Sequence, residues 1–183
     1  MIPLGTKAPS FTLPTTGGDE ISLQDLSDRE VLVIVFMCNH CPYVKHVLDG
    51  FIDLVNEYKD DKVAFVGINS NNADSHPADS FEKMKELDER LNLPFIYAYD
   101  ESQQVAKEYK AACTPDFYVF NEDRELVYRG QMDDSRPGDS KPVTGEDLRN
   151  AIDAVLAGDP VDENQKPSSG CNIKWKPGNQ PSY

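Results

Sequence analysis

Alternating apolar and polar stretches predict a chain that alternates between strands and helices. Residues 31–36, VLVIVF, form an uninterrupted apolar and mostly β-branched run, which is typical of a strand buried on both faces of a sheet. From Pro42 to Tyr58, apolar positions recur at intervals of three and four, which predicts a helix with one buried face, and Pro42 suits its first turn. The same reasoning predicts further strands over 62–68 and 95–99 and further helices over 77–91 and 102–112. Strands that alternate with helices indicate an α/β sheet with parallel crossovers.

The last third of the pattern predicts an antiparallel pair of strands and a final helix. Residues 114–120 and 125–130 lie on either side of the turn NEDR, and this pattern predicts a β-hairpin. Residues 144–158 predict a helix with Thr144 as its N-cap and Gly158 as its stop. We therefore expect a mixed central β-sheet flanked by helices.

These elements fit one domain over residues 1–158. Residues 69–76 and 131–143 are polar and are predicted to be loops. Residues 159–183 have the composition of a linker apart from GCNIKW, and we expect them to form a C-terminal tail that docks on the domain.

Charge and composition exclude several classes of partner. The 183 residues include 32 acidic and 18 basic side chains, a formal net charge of −14, with no basic run that could bind phosphates. Nucleic acid and anionic membranes are therefore not expected partners, and the acidity is explained by a solvated surface. The N-terminus has no basic segment followed by an apolar one, and no apolar stretch approaches the roughly 18 residues of a membrane span. We expect a cytoplasmic protein, although a signal peptide removed earlier would be compatible with this sequence.

Two cysteines in the sequence FMCNHCPYV are the main candidates for chemistry. Cys38 and Cys41 follow the predicted strand and lead directly into the predicted helix. This arrangement is expected to place Cys38 at the helix N-terminus, where unpaired N–H groups and a protonated His40 lower a thiol pKa to roughly 3.5–7.5. We therefore predict that Cys38 is the nucleophile and that Cys41, one turn further and more buried, resolves the mixed disulfide. The i, i+3 spacing lets the two sulfurs form and break a disulfide.

A structural zinc site is the alternative reading of the same motif. Such a site needs two more ligands at regular spacing. The remaining cysteines and histidines are scattered, and no second C-x-x-C occurs. We expect no metal and no cofactor.

Several segments together resemble the thioredoxin superfamily, on the branch that holds redoxin, TlpA-like and peroxiredoxin domains. They are LGTKAPSFTL, VLVIVFMCNHCPYV, CTPDFYVF and YRGQMDDS, and the resemblance spans most of residues 4–158. The segment GCNIKWKPGN (170–179) is also similar to bacterial peroxiredoxin-like proteins of this fold. The resemblance implies a thioredoxin fold, here with an N-terminal β-hairpin extension. It also implies that the Thr114-Pro115 peptide bond is cis, faces the cysteine pair, and leaves the backbone before Pro115 free to pair with an extended substrate.

The resemblance has departures that keep two other functions open. In the peroxiredoxin pattern P-x-x-x-[T/S]-x-x-C, Cys41 would be the peroxidatic cysteine, but Ile34 stands at the proline position and Cys38 at the Thr/Ser position. An activating arginine is also missing, because none occurs between Arg90 and Arg124. The alternatives are a peroxiredoxin-like peroxidase with Cys41 or Cys38 as its peroxidatic cysteine, and a redox-responsive binding module.

Our interpretation of the sequence is a thiol–disulfide oxidoreductase of redox homeostasis or antioxidant defence. Residues 31–37 lack the acidic residue that many thioredoxins use for the resolving thiol's proton, so water, His40 or Lys45 would move it. The expected partners are a protein or small-molecule disulfide and an electron-donor reductase. Cys113, next to Thr114-Pro115, and Cys171, in the tail, are candidates for auxiliary redox cysteines.

Overall fold

The computed structural model describes residues 1–60 and 62–183 and contains a five-stranded central sheet. The strands are β1 (Thr12–Pro14), β2 (Glu20–Ser22), β3 (Val31–Phe36), β4 (Val63–Asn69), β5 (Ile96–Tyr99), β6 (Cys113–Thr114), β7 (Asp116–Phe120), β8 (Leu126–Gly130) and β9 (Cys171–Asn172). The helices are α1 (Pro42–Glu57), α2 (Phe81–Leu91), α3 (Gln104–Glu108) and α4 (Glu146–Ala157).

The central sheet has the strand order β5-β4-β3-β7-β8. β3, β4 and β5 are parallel, whereas β7 pairs antiparallel with both β3 and β8. A separate antiparallel hairpin, β1 with β2, precedes them. This mixed sheet flanked by helices confirms the predicted α/β thioredoxin fold and its N-terminal hairpin extension.

Alternate residues of β3 face two apolar cores, because successive side chains of a strand point to opposite faces. Val31, Val33 and Val35 pack with the buried faces of α1, α2 and α4. The intervening residues of β3 pack on the other side with α3, the N-terminal segment and Ile173 of the tail. The continuous apolar run of β3 is explained by this burial on both faces.

Three predicted helix boundaries were wrong. The predicted helix over 77–91 is a short 3₁₀ turn, Pro77–Asp79, followed by α2, whose N-cap Ser80 accepts a hydrogen bond from the N–H of Lys83. The predicted helix over 102–112 is reduced to α3, because Lys110 has a left-handed backbone with φ of 50°. α4 ends before Gly158 as expected, but its N-cap is Gly145 with φ of 68°, not Thr144.

The predicted strand over 114–120 is interrupted at Pro115. β6 ends at Thr114 and β7 begins at Asp116, and β6 pairs with β9 of the tail instead of extending the central sheet. The predicted polar loop over 69–76 begins with four buried residues, Asn69 to Asn72. Among the described residues, no helix is both long and apolar enough to cross a membrane.

Candidate active site

The cysteine pair lies where β3 leads into α1, at the carboxyl edge of the parallel strands. β3 ends at Phe36 and α1 begins at Pro42, so that Cys41 is the N-cap residue of α1. Cys38 precedes the helix by a turn. The expectation that Cys38 occupies the helix N-terminus was therefore wrong, and Cys41 holds that position instead.

Thr114 lies against both sulfurs of the pair. Cys38 Sγ is 3.7 Å from Thr114 Oγ1, and Cys41 Sγ is 3.4 Å from the Thr114 carbonyl oxygen. The peptide bond between Thr114 and Pro115 is cis, which confirms that expectation. The expectation that the backbone before Pro115 is free to pair with a substrate was wrong, because Thr114 pairs with Cys171 of β9. Both cysteines are almost fully buried, with exposed fractions of 1% for Cys38 and 0% for Cys41. The sequence predicted that Cys41 is the more buried of the two, but this difference is too small to distinguish them.

Cys41 has the environment of a thiolate. A hydrogen bond from the Cys38 thiol lowers the pKa of Cys41 to about 4, together with donors from Cys171 and the Val44 N–H, against the opposing effect of burial. The Val44 donor is an unpaired N–H of the first turn of α1, as expected for an N-cap position. The nearby Thr114 carbonyl favours a protonated Cys41, but this one acceptor is outweighed by the several donors around the sulfur.

Cys38 has the opposite environment. Its hydrogen bond to Cys41, burial and the negative charge of Asp79 raise the pKa of Cys38, although the Thr114 hydroxyl and the Cys41 N–H act in the other direction. The interaction between the two thiols thus has opposite effects, because it raises the pKa of Cys38 and lowers the pKa of Cys41. The predicted low pKa of Cys38 was therefore wrong, because the helix N–H groups reach Cys41 and a buried carboxylate reaches Cys38.

Asp79 is the site residue that the sequence did not reveal. Its carboxylate is fully buried, accepts hydrogen bonds from the Asn39 N–H at 2.7 Å and from Asn71 Nδ2 at 2.8 Å, and lies within ion-pair distance of His40 Nδ1. A signal for it existed in the run NSNNADSHPAD, because the segment that follows β4 lies at the same sheet edge as the cysteine pair. Residues 31–37 lack the acidic residue that many thioredoxins carry before the cysteine motif. Here Asp79, from the segment after β4, places a buried carboxylate near the pair instead.

His40 points toward Asp79 through Nδ1, and the ring of His76 stacks on it with centroids 5.6 Å apart. One donor atom each of Cys38, His40 and Asp79 lie within 4.8 Å of one another, so the three could bind a metal ion. Both Asp79 oxygens already accept hydrogen bonds from protein groups, however, which favours a hydrogen-bonded network at this position.

The two cysteines that the sequence offered as candidates for an auxiliary redox role lie on the β6–β9 ladder. Cys113 is half-buried, and burial raises its pKa to about 12. Cys171 pairs in register with Thr114, whose carbonyl oxygen is 3.4 Å from Cys41 Sγ, and its interaction with Cys41 contributes to the lowered pKa of Cys41. The structure thus brings Cys38, Cys41, Thr114, Pro115 and Cys171 together, with His40 linked through Asp79.

The fold and the buried dithiol beside a cis proline define a thioredoxin-fold protein with a redox-type cysteine motif. Residues 4–129 match the AhpC/TSA family. This match covers more than half of the chain, and the chain belongs to the AhpC/TSA family.

Individual relatives agree with this assignment. The crystal structure of an uncharacterized conserved protein from Geobacillus kaustophilus is 55% identical, covers 97% of this chain and 95% of that chain, and gives a TM-score of 0.95. A Coxiella burnetii protein named as a peroxiredoxin, bcp, is 31% identical over 108 residues, which are 59% of this chain and 66% of that protein. The chain thus spans just under two thirds of the length of that relative.

A more distant structure shows the fold alone. Peroxidoxin BcpB from Mycobacterium tuberculosis is 17% identical, covers 86% of this chain and 98% of that chain, and has a TM-score of 0.64. The thioredoxin fold is therefore shared with a peroxide-related protein and does not distinguish peroxide from disulfide chemistry.

Proposed function

We propose that this chain is a thiol–disulfide oxidoreductase in which Cys38 and Cys41 cycle between a dithiol and a disulfide. The observation that carries the proposal is the position of both sulfurs against Thr114, beside the cis proline: Cys38 Sγ is 3.7 Å from Thr114 Oγ1, and Cys41 Sγ is 3.4 Å from the Thr114 carbonyl oxygen. The interaction between the two thiols lowers the pKa of Cys41 and raises the pKa of Cys38. A thiolate is the attacking form in disulfide exchange, and a neighbouring thiol can resolve the product.

The electrostatics favour Cys41 as the first attacker, which reverses the roles predicted from sequence. The Cys41 thiolate attacks one sulfur of a substrate disulfide, so that a mixed disulfide forms and the other substrate sulfur leaves as a thiolate. Cys38 then gives up its proton to solvent and attacks Cys41 Sγ. The Cys38–Cys41 bond forms, the second substrate thiolate leaves, and the protein is oxidised as the substrate is reduced.

The expected partners follow from this cycle. The substrate is a protein or small-molecule disulfide, and an external dithiol reductant returns the pair to the reduced form. An extended peptide would pair with the backbone at Thr114 only by displacing β9, which occupies that edge. A cytoplasmic location stays a prediction from the sequence.

A peroxidase is the second candidate, and one observation favours it. Cys41 is a thiolate at a helix N-terminus and is followed by Pro42, as in the peroxidatic position of the family. In that chemistry the thiolate attacks a peroxide oxygen, the O–O bond breaks, and Cys38 condenses with the sulfenic acid to release water. Against it, Arg129 is held by Asp116 and by the Lys110 carbonyl, and residues 91–123 contain no arginine.

Stopped-flow kinetics on the reduced protein separate the two candidates. Wild type, Cys38→Ser and Cys41→Ser are mixed with oxidised glutathione and, separately, with hydrogen peroxide. We expect wild type to form the Cys38–Cys41 disulfide with glutathione, Cys38→Ser to form a mixed disulfide on Cys41 that position 38 cannot resolve, and Cys41→Ser to lose the fast phase. Fast reaction with peroxide that survives in Cys38→Ser, without any reaction with oxidised glutathione, would replace the proposal with the peroxidase.

A further inference from the structure

The C-terminal tail is built against the active site. β9 pairs antiparallel with β6, with Thr114 opposite Cys171, and the Ile173 N–H donates to the Ala112 carbonyl at 3.1 Å. Ile173 is buried in the second core, which is the core on the side of the central sheet that faces α3. At Gly170, an added Cβ would lie 2.0 Å from the Thr114 carbonyl oxygen, so only glycine permits this approach of the two backbones.

The loop that carries the Asp79 network also holds the tail. The Asn72 N–H donates to the Lys174 carbonyl at 2.7 Å, and the Lys174 N–H donates to Asn71 Oδ1 at 2.9 Å. Asn71 in turn donates to Asp79 at 2.8 Å. Hydrogen bonds therefore run from the tail through Asn71 and Asp79 to the Asn39 N–H, in the turn between the two cysteines.

This docking brings Cys171 next to the cysteine pair. Cys41 Sγ lies 3.4 Å from the Thr114 carbonyl oxygen, Thr114 pairs with Cys171 across β6 and β9, and Cys171 packs against the core that contains Cys38 and Cys41. β9 also occupies the edge of β6 beside Pro115, which is the edge where a substrate strand would pair in the proposed function. The tail thus presents a cysteine where a substrate disulfide would present its sulfur.

We propose that Cys171 is a third redox cysteine, which takes over the disulfide from the Cys38–Cys41 pair by exchange at Cys41. This inference rests on the proposed function, because that function forms the Cys38–Cys41 disulfide. The Cys171 thiolate attacks Cys41 Sγ, the Cys41–Cys171 bond forms, and the Cys38–Cys41 bond breaks with its electron pair left on Cys38. The proton lost by Cys171 passes through solvent to Cys38, so no outside electron donor or acceptor is required.

The surroundings of the three sulfurs fit this exchange. Cys38 and Cys41 are almost fully buried, whereas Cys171 is only partly buried and can be reached by an external dithiol. Burial and the neighbouring Cys41 also raise the pKa of Cys171. Since only the thiolate attacks, the exchange should accelerate as pH rises toward the pKa of Cys171.

Mapping of disulfides in the full chain tests the inference. The reduced protein is treated with oxidised glutathione, quenched in acid, alkylated and digested with trypsin. Cys38 and Cys41 share the peptide 30–45, whereas Cys171 lies in 150–174, because Lys166 is followed by proline. We expect the linked pair 30–45 with 150–174 in wild type, its enrichment in Cys38→Ser, and its loss in Cys171→Ser.

Cys113→Ser is the matched control, since Cys113 lies on the same ladder and its replacement should leave the linked peptides unchanged. An internal disulfide in peptide 30–45 of wild type, with no linked peptides in wild type or in Cys38→Ser, would overturn the role of Cys171 and leave the proposed function standing. Absence of the internal disulfide at every extent of oxidation would instead contradict the proposed function, and the linked peptides in Cys38→Ser would still decide for or against Cys171.

Discussion

Asp79 and Cys38 form the least obvious pair of neighbours in the site. The carboxylate is fully buried, accepts hydrogen bonds from the Asn39 N–H and Asn71 Nδ2, and has an oxygen within 4.8 Å of the Cys38 sulfur. A like charge at short range disfavours ionisation, so Cys38 keeps the proton that Cys41 loses. One acidic side chain thereby contributes to the different roles of two cysteines that are only three positions apart.

Replacement of Asp79 by Asn should lower the pKa of Cys38. The amide keeps an acceptor oxygen for the Asn39 N–H but removes the negative charge, and we expect a decrease of about 1 pH unit. The comparison is made in a Cys41→Ser background so that Cys38 titrates without its coupled partner, and the pKa is read from the Cβ chemical shift of isotope-labelled cysteine. Asp74→Asn, an exposed residue of the same segment, is the control. An unchanged Cys38 pKa in Asp79→Asn, or an equal decrease in Asp74→Asn, would contradict this role for Asp79.

Among the elements, those buried along their whole length were predictable and those set by distant contacts were not. The run VLVIVF and the periodicity after Pro42 predicted β3 and α1, because burial determines which residue types occur at each position. The cis bond at Pro115 came from a family resemblance. Asp79 was missed because its burial depends on packing between the segment after β4 and the turn before α1. β9 was missed because a two-residue strand has no periodicity.

The β6–β9 ladder depends on Gly170, and Gly170→Ala should release the tail. The added methyl group would overlap the Thr114 carbonyl, a contact that costs about 1–3 kcal/mol if the backbones stay in place. Trp175 is the only tryptophan in the sequence and packs against the second core, so its emission should shift to the red. Alkylation of Cys41 should become faster, because β9 no longer covers it.

Ser169→Ala is the matched control for tail release. Ser169 is the exposed neighbour of Gly170, and its replacement adds no atoms to the interface. We expect wild-type emission and wild-type alkylation of Cys41 in this variant. Equal Trp175 emission in Gly170→Ala and Ser169→Ala would show that the ladder does not hold the tail.

At the scale of the whole molecule, a buried ion pair connects the active-site turn to the sheet. Asp116 directly follows the cis proline, and Arg129 of β8 donates to it at 2.9 Å. The same guanidinium donates to the Lys110 carbonyl at 2.8 Å and lies over the ring of Tyr118 at 4.7 Å. Burial raises the pKa of Asp116, although Arg129 opposes this, so the pair is held in a site where neither charge reaches solvent freely.

Arg129→Leu should therefore destabilise the entire fold. Removing one partner of a buried pair leaves the other charge without compensation, which costs about 3–5 kcal/mol. Arg149→Leu is the matched control, because Arg149 pairs with Glu57 at the surface, where such pairs contribute about 0–1 kcal/mol. The free energy of unfolding is measured in urea under reducing conditions by circular dichroism, since Trp175 fluorescence reports mainly on the tail. A loss in Arg129→Leu no larger than that in Arg149→Leu would mean that Asp116 is protonated or solvated in the variant, and that the ion pair does not stabilise the turn at Pro115.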